Sequence, residues 1–80
     1  MDYLERINRL YNIHLRILQE NTGDPEEFAR QFHISRRELY CILEELKISG
    51  AEIKFSRINH TFQYLNSFDI SINTYKIHVH

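Results

Sequence analysis

Two helix-start signals stand eleven positions apart in this chain and fix the middle of its fold. Asp24 is followed by Pro25 and, three residues on, by Glu27; Ser35 is followed three residues on by Glu38. In each case a short polar cap side chain accepts from a backbone N–H in the first turn, and the Glu reaches back to the cap's own N–H. Pro25 suits the first helical position, where its missing N–H would be unpaired anyway. The helix it opens is short, with Phe28, Ala29 and Phe32 inward and His33-Ile34 as a turn before the next cap. Ile34 can staple onto Leu39. Leu39, Ile42, Leu43 and Leu46 then form the inward stripe of a helix over about 36–48, and Gly50 supplies the left-handed residue that ends it.

Upstream, Leu4, Ile7, Leu10, Tyr11, His14, Ile17 and Leu18 recur at three-and-four spacing, which predicts a long amphipathic helix over about 2–20. Glu5, Asn8, Arg9, Asn12, Arg16 and Gln19 fall on its solvated side. After Gly50 the apolar period drops to two: Ile53 and Phe55, then Phe62 and Tyr64, alternate with polar residues around the short link 57–60. An antiparallel hairpin is predicted over 51–65. Phe68, Ile70 and Ile72 alternate again, as do Tyr75, Ile77 and Val79, giving one or two further C-terminal strands over 67–80. The whole is one α+β domain over residues 1–80.

Composition removes other classes. At 80 residues there is no room for two cores, and a cleft for a cofactor and a catalytic constellation would take material from a small one. An enzyme is not expected, nor any cofactor. The single Cys cannot form an internal disulfide, which suits a reducing cytoplasm. No signal peptide and no membrane span are read from the sequence. Hydrophobic content of 42% argues against disorder.

The stretches EEFARQFHISRRELYCILEEL and GAEIKFSRINHTFQY, with the helix before them, resemble the winged helix-turn-helix of small bacterial transcriptional regulators. The same module type begins the regulators that carry a WYL domain. The resemblance covers about 65 of the 80 residues and implies double-stranded DNA as partner, with the third helix in the major groove and the hairpin as a wing on the flanking backbone or minor groove. Ser35 matches the family's cap position, where the cap or the helix N-terminus would sit beside a phosphate. Arg36, Arg37 and Tyr40 match its SRR-x-LY core. With the Leu39–Leu46 stripe inward, Arg37, Cys41 and Glu44 point outward, and Arg37 is the expected base contact, a guanine if bidentate. Glu38 and Cys41 depart from the family pattern, Glu44 also lies on the outward face, and these departures lower the expected affinity.

The formal charge of −1 is a cancellation. Residues 30–37 carry +3 and 47–64 carry +2, against −4 over 20–29 and −3 over 38–46. Arg30, Arg36, Arg37, Lys54 and Arg57, with His60 at the wing tip, form the expected DNA surface. Five neutralised phosphates correspond to a salt slope of roughly −4.5.

Against these stand plainer readings. His14 is expected to be a locally hydrogen-bonded core histidine, His33 a turn residue at positive φ, Cys41 an incidental thiol. His78 and His80 share one face of a strand, but nothing completes a zinc set, so no metal is expected. A homodimer through the first helix or the C-terminal strand would suit a palindromic operator. The alternative function is a winged-helix module that binds a protein partner without DNA.

Overall fold

The caps decide where each helix begins. In a computed structural model that describes residues 3–70, α1 is Tyr3–Leu18, α2 is Pro25–Gln31 and α3 is Arg36–Ile48. Asp24 Oδ1 accepts from the Glu27 N–H at 2.9 Å, and Ser35 Oγ accepts from the Glu38 N–H at 3.0 Å. Both glutamates return the bond to the cap N–H at 3.1 Å. Both capping boxes thus form as the sequence predicts.

The helix ends are also alike. Glu20, His33 and Gly50 take φ of 55°, 56° and 115°. Each is followed by the paired bonds of a Schellman turn. Glu20 donates to the Ile17 carbonyl and Asn21 to that of Arg16; His33 and Ile34 donate to Arg30 and Ala29; Gly50 and Ala51 donate to Lys47 and Leu46. The reversal turns Ile34 and Ala51 back toward the core, which is how one helix leads into the next element.

β1 (Ile53–Ser56) and β2 (Thr61–Tyr64) form a two-stranded antiparallel sheet with Phe55 opposite Phe62 and Ile53 opposite Tyr64. A hairpin alone is marginal in water. This one is held at three places. Phe62 packs its ring against Phe28 of α2, Tyr40 of α3 and Phe55 of β1, with centroids 5.9, 6.4 and 5.1 Å away. Asn66 accepts from the Glu52 N–H and donates to the Gly50 carbonyl, tying the base of the hairpin to the end of α3. Thr22, between α1 and α2, accepts from the Phe62 N–H at 2.9 Å and donates to the Gly23 carbonyl, while its own N–H donates to the Thr61 hydroxyl at 3.1 Å. Both threonines are buried with their polar atoms satisfied. The core between these elements is Ile13 and Ile17, Phe28 and Ala29, Leu39, Leu43 and Leu46, closed by Ala51, Phe62 and Ile70.

Several expectations are corrected. α1 ends at Leu18 rather than about 20, because Glu20 already takes positive φ. Arg16 is not on a solvated side: it is half-buried, donates to Gln31 and lies over the Phe32 ring at 5.8 Å. Leu4 and Leu18, read as apolar-face residues, are exposed, because the other described residues do not cover the ends of that face. Residues 67–70 are not a strand. The outward N–H of Phe62, which a strand added to the free edge of β2 would use, is already taken by Thr22. Ile72, Tyr75, Ile77, Val79, His78 and His80, with the further strands, the zinc reading and the C-terminal dimer contact drawn from them, lie outside the described residues.

Candidate nucleic-acid interface

The capped start of α3 places two arginines in its first turn. Arg36 and Arg37 are exposed, and neither enters an ion pair among the described residues; the same holds for Lys54 on β1 and Arg57 in the hairpin loop. Cations at a helix N-terminus face the positive end of its dipole, an unfavourable position of about 0.3–1 kcal/mol each when exposed. Glu38 in the same turn offsets part of this.

The two arginines do not share one groove. Consecutive residues diverge by about 100° around a helix. Arg36 lines a shallow recess of about 340 Å³ over the turn between α2 and α3 with Arg30, His33 and Glu26. Arg37 lines an open groove of about 600 Å³ between α1 and α3, together with Cys41, Arg6 and Arg9. Arg36 and Arg37 thus line different recesses, each of which also carries acidic residues, Glu26 in the first and Glu38 and Glu45 in the second.

Other expected site residues divide by how far they are already engaged. Arg30 lies 3.9 Å from Glu26 one turn earlier, both exposed. Ser35 Oγ is committed to its cap. The Tyr40 ring stands edge-on to Phe62, so it braces α3 against β2 with only part of its ring free. At the hairpin tip the Asn59 N–H donates to Ser56 Oγ and His60 takes φ 52°, which closes the loop and leaves Arg57 and His60 exposed. Between them Ile58 is 91% exposed. Acidic residues also face out from α3: Glu44 and Glu45 are exposed, and Ile48 beside them is 84% exposed.

A polar centre that sequence reasoning did not assemble lies on the other side of α1. His14 is fully buried, with Nδ1 2.7 Å from the Tyr64 hydroxyl and Nε2 3.0 Å from Asp69 Oδ1. The rings of Tyr11, Tyr64 and Phe68 surround it. Nε2–H donates to the carboxylate, and Nδ1 shares the second hydrogen bond with the phenol. Burial first, and the Asp69 charge second, push the Tyr64 hydroxyl well above the ordinary tyrosine value. A phenol held protonated is a donor, not a nucleophile. The cluster joins α1, β2 and residues 68–70, and neither groove reaches it. The sequence signal was a histidine on an apolar helix face; its partners were too distant in the chain to be read.

Among the described residues no group of three or more His, Cys, Asp or Glu could hold a metal ion, and no helix is long and apolar enough to cross a membrane. No protein-family model, curated protein or solved structure matches the chain.

Proposed function

We propose that this chain is a winged-helix module that binds double-stranded DNA with sequence preference and acts as a transcriptional regulator, α3 entering the major groove and the hairpin serving as its wing. The observation that carries the reading is the placement of Arg36 and Arg37. Both are exposed, without an ion pair, and set at the helix end where the dipole disfavours them. A phosphate beside that end turns the liability into attraction, because it meets a guanidinium together with the first-turn N–H groups that the cap leaves open. Lys54 and Arg57 supply the same chemistry from the hairpin.

A second reading has its own support. Glu44, Glu45 and the bare Ile48 give the outer face of α3 an acidic and apolar character that suits a protein surface better than phosphate. Fluorescence anisotropy with genomic fragments at low salt separates the two. DNA binding that is lost in both Arg36→Glu and Arg37→Glu supports the first reading. No binding by the unaltered chain, or binding indifferent to both reversals, sinks it. Partner capture that survives both reversals favours the second.

A further inference from the structure

The hairpin ends in a loop that is fixed at its base and bare at its tip. The ladder of β1 and β2 closes at Ser56 opposite Thr61, and residues 57–60 cross between the strands. Thr61, at the root of the loop, is buried, and its hydroxyl accepts from the Thr22 N–H. Phe62 beside it packs on Phe28 and Tyr40. Within the loop the Asn59 N–H donates to Ser56 Oγ at 3.2 Å, and His60 takes φ 52° to rejoin the strand. The loop thus projects from a base that the rest of the domain holds in place.

Ile58 is 91% exposed there, the barest of the large apolar side chains among the described residues. The core does not use it, and neither does the turn, since turns favour Gly, Pro, Asn, Asp or Ser rather than a β-branched residue. Its surroundings are basic. From Ile53 to Phe68 the chain carries Lys54, Arg57 and His60 and no carboxylate. Arg57 and His60 flank Ile58 and are exposed. A bilayer surface would call for a broad apolar face, whereas Ile58 is the only apolar residue of its loop. One apolar side chain set among cations fits a polyanion whose apolar interior is one side chain deep, which describes stacked base pairs between two phosphate strands.

We propose that the loop enters the minor groove beside the stretch read by α3, and that Ile58 inserts between two base pairs as a wedge that bends the duplex, with Arg57 and His60 on the flanking phosphates. The inference rests on the DNA reading above and adds to it a groove, a contact and a deformation of the ligand. It also adds specificity where α3 does not reach. Pyrimidine–purine steps such as TA unstack most easily, so bound sites should carry one under the loop.

The test uses the full chain and a duplex selected for binding from a random-sequence pool. Energy transfer between dyes on the duplex ends should report a bend of about 20–90° on binding. A 2-aminopurine stepped through the flank should brighten at one base step, where stacking is lost. Ile58→Ala should abolish both signals and weaken binding about tenfold. Ile58→Leu should restore them, and Arg57→Ala should weaken binding while keeping the bright step at saturation. Because Ile58 is exposed, its variants should unfold at the same denaturant midpoint as the unaltered chain. A bound duplex that stays straight, a bend indifferent to Ile58→Ala, or binding to phosphatidylserine vesicles that depends on Ile58 while the bound duplex shows no bright step overturns the inference and leaves the DNA reading standing. Only a chain that retains no member of the pool removes both together.

Discussion

His14 shows at the scale of one residue what the sequence holds and what it does not. Its place in the three-and-four stripe marks it as inward, and inward it is, but Tyr64 and Asp69 stand 50 and 55 positions away and no local pattern links them. The consequence is carried by Tyr64. Its folded pKa lies above the ordinary 10.0 because burial, and then the Asp69 charge, disfavour the phenolate. The unfolded chain therefore loses this proton first as pH rises. The stabilisation is intact below pH 10 and falls away as pH climbs above it. Unfolding measured across alkaline pH should show a steeper loss in the unaltered chain than in Tyr64→Phe. Equal slopes would mean that the phenol is not held in the way described. At neutral pH the same variant loses a hydrogen bond to a buried ring, at a cost of about 1 kcal/mol. Arg16 teaches the same lesson from the other side, since the helix period alone assigns it to solvent and only the fold brings Gln31 and Phe32 to it.

At the scale of elements, starts were more legible than stops. A capping box is written within four residues, so Asp24-Glu27 and Ser35-Glu38 could be read directly. Glycine at position 50 also announced its turn, whereas Glu20 adopts the same kind of left-handed conformation without the residue type that favours it. A Cβ in that region costs about 1–2 kcal/mol. Glu20→Gly should therefore raise stability by about 1 kcal/mol, less than the full strain because glycine also loses more freedom on folding. Gly50→Ala should lower stability through strain alone, since a Cβ there meets nothing within 4 Å. Equilibrium denaturation of the two variants checks both signs, and opposite shifts are required. The strand expected from Phe68 and Ile70 failed for a reason outside its own sequence. Phe68 packs on His14 and Tyr64, Ile70 enters the core, and the neighbouring sheet edge is occupied by Thr22.

For the whole molecule, the order of helices and hairpin was legible from two periods and three boundary signals, while the division of its surface was not. Summing charge by segment gathered Arg30, Arg36 and Arg37 together; the fold turns Arg36 toward one recess and Arg37 toward another. If the proposed DNA reading holds, Arg30, already beside Glu26, contributes least, and Arg36, Arg37, Lys54 and Arg57 remain. Four phosphates correspond to a salt slope of about −3.6 rather than the roughly −4.5 of five. Affinity measured against salt concentration should give the shallower value, and Arg57→Ala should reduce it by about one further phosphate's worth. The tie between Thr22 and β2 has a consequence for the chain in a crowd. An open strand edge is a template on which other chains can add and aggregate. Here part of that edge is closed by a hydroxyl from the loop after α1 rather than by another strand. Among the described residues the Phe62 N–H is covered by that one side chain, far away in sequence, and its loss would leave this N–H open to a strand from a neighbouring copy.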